Sequence, residues 1–195
     1  MSNPVSEPTS WPAVLTWRST TAPRMESTRI QISGKRIKAS GRLIGGPCEE
    51  HESFSASYDL VTDDAGETRR LSLRTTTAAG ERVLSVSRDR EGYWTVHEGT
   101  TSARSRFGGA LDVDVILSPF FNALPIRRLD LQHEPGDEQV SVVYVSLPDL
   151  TVKEESLTYS AGAEGIHVIS PVASATVTVD ADGFVIDYPG LGERI

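Results

Sequence analysis

Ser53-Phe54-Ser55-Ala56-Ser57-Tyr58-Asp59-Leu60 decides the fold class. Phe54, Ala56, Tyr58 and Leu60 alternate with serines and an aspartate. A period of two puts one set on a buried face and the other in solvent, which is the pattern of a half-buried strand. The rhythm recurs further along the chain. Leu71 and Leu73 alternate with Arg70, Ser72 and Arg74, and Leu84 and Val86 with Val83, Ser85 and Ser87. Near the C-terminus Ala173, Ala175, Val177 and Val179 alternate with Ser174, Thr176 and Thr178. Between these runs stand Asp64-Ala65-Gly66, Ala79-Gly80, Glu91-Gly92, Pro135-Gly136-Asp137, Glu164-Gly165 and Asp182-Gly183. Glycine supplies the positive φ that hairpin turns demand, and aspartate tolerates it. Turns recurring at about 8–12-residue spacing predict an all-β antiparallel meander of roughly a dozen strands.

Outside the strands there is little periodic signal. One short helical turn is expected from Ser118 to Ala123, with Ser118 as cap and Pro119 at the first helical position. Residues 1–10 are polar, hold two prolines and read as a mobile tail, leaving residues 11–195 as a single domain. The run from Val140 to Leu147 departs from the rule of one buried face. Val140, Val142 and Tyr144 point one way and Val143, Val145 and Leu147 the other. Apolar residues on both faces predict a strand covered on both sides, by a loop, a helix or a partner chain.

The 195 residues suffice for a core that needs no staple. Cys48 is the single cysteine, so neither an internal disulfide nor a thiolate zinc cluster can form. The net charge of −8 argues against a nucleic-acid footprint and against peripheral binding to anionic lipid surfaces. The start of the chain has no basic and apolar leader, and no run approaches the roughly 20 apolar residues of a membrane helix, so a cytoplasmic, non-spanning protein is expected. Serine nucleophile elbows and Walker loops are absent. Gly190-Leu191-Gly192 fails as a dinucleotide fingerprint, because Ile195 stands where the third glycine belongs. His51, His97, His133 and His167 are scattered, without ligand spacing, so no metal or cofactor is predicted. Asp180-Ala181-Asp182-Gly183 opens like a calcium loop but carries Leu191 at the twelfth position, and reads as a tight hairpin between Val179 and Phe184.

Asp112 and Asp114 form the sharpest polar constellation. In a strand they share a face, on the order of 7 Å apart. Such a pair could do acid/base work, pair with Arg127 or Arg128, or simply face solvent. The segment from Ser118 to Leu129 between them is too apolar for a surface loop. Pro119 and Pro125 stiffen it. Phe120, Phe121, Leu124 and Ile126 must bury, either as a plug at one end of the core or as the wall of a ligand cavity. Read as extended chain, Arg127 and Arg128 would point to opposite sides.

Several strings in order resemble one family. They are Leu111-Asp112-Val113-Asp114, then Ser118-Pro119-Phe120-Phe121-Asn122-Ala123-Leu124-Pro125-Ile126-Arg127-Arg128-Leu129, then Val143-Tyr144-Val145-Ser146-Leu147-Pro148-Asp149-Leu150, then Val179 to Leu191 with its Asp187-Tyr188-Pro189-Gly190-Leu191. Trp17-Arg18 and Gly92-Tyr93-Trp94-Thr95-Val96 complete the set. From Trp11 to the C-terminus the chain resembles the bacterial putative glycolipid-binding family. The resemblance implies a fold similar to lipoprotein-carrier proteins, a sheet curled into a closed or pseudo-barrel around an apolar hollow. It implies a lipid or glycolipid ligand and supplies no catalytic residues. The family tail runs Leu-Phe-Arg-Arg, whereas Gly192, Glu193 and Arg194 follow Leu191 here. In this reading Asp112, Asp114, Asn122, Arg127 or Arg128, Tyr144 and Tyr188 form the polar end of the site, with Phe120 and Phe121 in its wall. The alternatives are an enzyme using the Asp112/Asp114 pair with Arg127 and Arg128 at a cavity mouth, or an interaction module with the Val140 to Leu147 strand under a dimer interface. The oligomeric state is left open.

Overall fold

The structure, a computed structural model, describes residues 10–49 and 51–195. Residues 1–9 of the expected tail lie outside the described residues. The first half holds β1 (Ala13–Arg18), β2 (Arg24–Ser33), β3 (Arg36–Gly45), β4 (Phe54–Thr62), β5 (Thr68–Thr77), β6 (Gly80–Arg88), β7 (Trp94–Glu98) and β8 (Thr101–Ser105). After them come β9 (Asp112–Val115), α1 (Ala123–Leu129), β10 (Gly136–Val145), β11 (Val152–Gly162) and β12 (Gly165–Ile169). The last strands are β13 (Ser174–Val179), β14 (Val185–Tyr188) and β15 (Gly192–Arg194). The strands missing from a count by spacing are short ones such as β9, β14 and β15, of four, four and three residues, which show no period.

All fifteen strands belong to one sheet, ordered β8-β7-β6-β5-β4-β3-β2-β1-β15-β14-β13-β12-β11-β10-β9. Two meanders therefore meet where β1 pairs β15, with Trp17 opposite Arg194 and Arg18 opposite Glu193. Every ladder is antiparallel except β9 with β10, which is parallel and sets Asp114 beside Tyr144. Hydrogen bonds do not join β8 to β9, so the curled sheet is a pseudo-barrel rather than a closed one. The chain between those two edges is pinned inward instead. The Trp94 indole donates to the Ala110 carbonyl at 2.9 Å, and Leu111 O accepts from the Thr68 N–H at 2.9 Å.

Alternation decides which side chains are buried. In β4 Phe54, Ala56, Tyr58 and Leu60 are all 5% exposed or less. They join a large core with Trp17, Trp94, Phe120 and Phe121, while Val140, Val142, Tyr144, Leu157 and Tyr159 gather in a second one. Strand β10 separates the two: Val143 and Val145 face the first and Val140, Val142 and Tyr144 the second. The two apolar faces expected there are thus both covered from within the chain.

The expected helical turn forms and runs on into a longer helix. A 3-10 turn spans Phe120–Asn122 and α1 follows, so Leu124-Pro125-Ile126-Arg127-Arg128 is helical rather than extended. Pro125 is the third residue of α1, where a backbone N–H has no intrahelical partner to lose. Asp130 closes the helix in the left-handed region at φ 61°, and Leu131 N–H reaches Ile126 O at 2.9 Å. The Asp180 hairpin forms as expected, with Asp180 N–H on Phe184 O and Gly183 N–H on Asp180 O, both 2.9 Å. No helix among the described residues is long and apolar enough to cross a membrane.

Candidate functional site

A partly open cavity of about 770 Å³ lies beside the second core. Its volume falls within the roughly 300–1,000 Å³ usual for small-molecule sites. Residues 114–118 at the end of β9 form one wall, and Tyr144, Leu147 and Leu157 of the β10–β11 hairpin form another. Ser170, Val172 and Ala173 of one turn and residues 188–191 of another border it, with Thr21, Ala22, Arg24, Cys48, Glu49 and His51 contributed by the first meander. Apolar side chains such as Val115, Leu147 and Leu157 predominate, and the polar groups cluster.

Asp114 is the central polar group. Its parallel pairing places it next to the Tyr144 phenol on the same face of the sheet. No salt bridge reaches Asp114 among the described residues. Burial pushes its pKa up to about 7, and the neighbouring Asp112 adds to the rise against one hydrogen bond from the Val115 amide. The phenols respond to the same environment. Tyr188 is pushed up to about 12 by burial and by Asp114, and Tyr144 is raised further for the same two reasons. Both are neutral hydrogen-bond donors at physiological pH. Asn122 completes the cluster and accepts from the Tyr159 hydroxyl at 3.3 Å.

The residues picked from sequence divide into two groups. Asp114, Asn122, Tyr144 and Tyr188 line the cavity; Asp112, Phe120, Phe121, Arg127 and Arg128 do not. Asp112, fully buried, instead holds Arg128 through Nε at 3.1 Å and Nη2 at 2.7 Å, the ion pair weighed as one of its three readings. Arg127 reaches the Asp182 carbonyl and packs 5.2 Å from the Phe184 ring. The helix turns both arginines away from the cavity, which corrects their expected place at its mouth. Phe120 and Phe121 contact each other and Tyr58 inside the first core, with ring centroids 5.0 to 5.8 Å apart. They are the plug rather than the wall.

The arginine that does line the cavity is Arg24, buried to 7% exposure, whose guanidinium donates to Leu191 O at 3.1 Å. Below it Glu26 is 2% exposed. Tyr58 and Ser118 each donate a hydroxyl to its Oε1 at 2.6 Å, and the Phe120 N–H approaches Oε2 at 3.4 Å. Burial outweighs these donors and lifts Glu26 to about 7. Alternation along β2 was the available signal, since Arg24, Glu26 and Thr28 share the face of buried Ile30. His51 and Cys48 also border the cavity, and no group of residues fit to hold a metal ion occurs among the described residues.

The family model described as "Putative glycolipid-binding" matches residues 14–194. A crystal structure of a DUF1089 family protein from Pseudomonas aeruginosa shares the fold with a TM-score of 0.70, at 25% identity over 97% of this chain and 100% of the other. Comparison with curated proteins gives no match. The chain belongs to the family whose model it matches.

Proposed function

We propose, from that membership, that the chain is a binding protein whose cavity holds an amphiphile of the lipid or glycolipid class. The cavity itself carries the reading: about 770 Å³ with largely apolar walls and, at its inner end, the carboxyl of Asp114, which no cation pairs among the described residues. An acyl chain would lie along Val115, Leu147 and Leu157. A hydroxyl-bearing head would meet Asp114, Asn122, Tyr144 and Tyr188, where buried donors and acceptors reward only a ligand that satisfies them. Asp112, Phe120, Phe121, Arg127 and Arg128 hold the wall's shape from behind. The protein would act in the cytoplasm, as one domain over residues 11–195.

Native mass spectrometry of protein purified without detergent tests this. A co-purified amphiphile, or a rise in melting temperature with a panel of glycolipids and fatty acids, is the expected result. Ala173→Trp, which fills the cavity from its rim, should abolish both. Retention of the amphiphile in Ala173→Trp, or no ligand and no shift in the parent protein, overturns the reading.

A further inference from the structure

The outer face of β2 to β6, turned away from both cores, carries a charge opposite to that of the chain. Ladder register aligns its outward residues in rows. One row runs Ser27, Arg42, Ser57, Arg74 and Val83; the next Arg29, Ser40, Asp59, Ser72 and Ser85; the third Gln31, Lys38, Val61, Arg70 and Ser87. Arg29, Lys38, Arg42, Arg70 and Arg74 are all exposed. Asp59 is the single carboxylate in these rows, and it already accepts from the Ser40 hydroxyl at 2.6 Å. Arg74 pairs with Glu81 at the margin. The other four cations have no ion pair among the described residues. Serines fill most of the space between them, so no bulky side chain stands over the charges. In a chain of net charge −8, a face this cationic is a local concentration of like charge that Asp59 and Glu81 offset only in part.

The row beside Arg42 is apolar where it begins. Met25 and Ile44 pair across the β2–β3 ladder and are 37% and 56% exposed. Met25 follows Arg24, and Ile44 comes shortly before Cys48, Glu49 and His51; these four flanking residues line the cavity. Cations set among small hydroxyls, with a pair of apolar side chains at one end, match a surface of phosphates over hydrocarbon. An acidic protein would offer carboxylates but no reason for the exposed Met25–Ile44 pair.

We propose that this face docks on an anionic lipid bilayer, with Arg29, Lys38, Arg42 and Arg70 against the lipid phosphates and Met25 and Ile44 entering the interface. Net charge alone excludes such binding; the distribution of charge restores it, because residues beyond about one Debye length of roughly 8 Å contribute little at physiological salt. Each cation near an anionic surface raises partitioning roughly five-fold. The docking stands whether or not the cavity is filled.

Co-sedimentation with vesicles of phosphatidylcholine alone, and of phosphatidylcholine mixed with phosphatidylglycerol, tests it. The expected result is binding to the mixed vesicles only, weakened by added salt. The combined variant Arg29→Ser, Arg42→Ser and Arg70→Ser should lower that binding by about tenfold or more. A variant matched in net charge, Lys35→Ser, Arg90→Ser and Lys153→Ser, should keep it, with circular dichroism showing both folded. Equal loss in the two variants, no binding to mixed vesicles at low salt, or tighter binding to a short DNA duplex than to the vesicles each overturns the proposal.

Discussion

The Ser118 hydroxyl donates to Glu26 Oε1 at 2.6 Å across 92 residues of sequence. This bond ties β2 to the loop that forms one wall of the cavity. Glu26 and Asp114 both have pKa values raised to about 7, from 4.5 and 3.8. The folded state therefore binds more protons than the unfolded one between about pH 4 and pH 7, and stability falls as pH rises through that window. Their contribution is full below about pH 4 and gone above about pH 7. Half-buried carboxylates such as Asp63, held down by the Glu67 backbone amide and by Arg69, add the opposite slope at acid pH. The comparison of Glu26→Gln with the parent isolates the buried group. The variant should lose less stability than the parent between pH 5 and pH 7 by urea titration, and parallel curves would refute the assignment.

Gly41 of β3 stands opposite Tyr58 of β4, and a β-carbon there would lie 2.2 Å from the ring. The ring cannot swing aside, because its hydroxyl is held by Glu26 and Thr28 at 2.6 Å and its faces touch Phe120 and Phe121. Gly41→Ala should cost about 2–3 kcal/mol through overpacking, read as a lower denaturation midpoint. Gly34→Ala serves as a contrast, since open space surrounds that position and only its positive φ opposes a side chain.

The Asp112–Arg128 pair predicts a larger loss. Arg128→Met leaves a buried carboxylate without its partner and should cost about 3–5 kcal/mol at neutral pH. Asp112 is already raised above its usual range by burial, so the loss shrinks in acid, where the orphaned group protonates. The double variant Asp112→Asn with Arg128→Met should cost less than the sum of the singles. An additive cycle would mean that the two side chains are not coupled.

Within the cavity, Asp114→Asn keeps the volume and removes the titration. It should weaken any head-group-dependent rise in melting temperature while leaving the response to a plain fatty acid nearly unchanged. Tyr188→Phe should act in the same direction by deleting one donor, on the order of 1 kcal/mol. If fatty-acid and glycolipid responses fall together, these groups shape the cavity rather than read the head.

Alternation with turn signals made most of the sheet legible: β4, β5, β6 and β13 can be written from their residues. The apolar run through β10 told in advance that two surfaces would cover it. Ladder order was hidden, because the β1–β15 and parallel β9–β10 pairings depend on contacts distant in sequence. Asp114, Asn122, Tyr144 and Tyr188, which line the cavity, were candidates from their chemistry and from the family resemblance. Arg127 and Arg128 were misplaced because the backbone state of Leu124 to Leu129 sets their direction, and Pro125 reads equally well as a loop residue or a first-turn residue. Glu26 was missed because an acidic residue in a strand is ordinarily taken to face solvent, although alternation with Thr28 and Ile30 placed it on the buried face.

Strand β10 packs into one core through Val143 and Val145 and into the other through Val140, Val142 and Tyr144. Loosening either core strips one side of the same backbone, and the remaining core then faces water through that gap. The two cores cannot melt in sequence. The molecule should unfold in one calorimetric transition, and the amide protons of β10 should be the last to exchange with solvent.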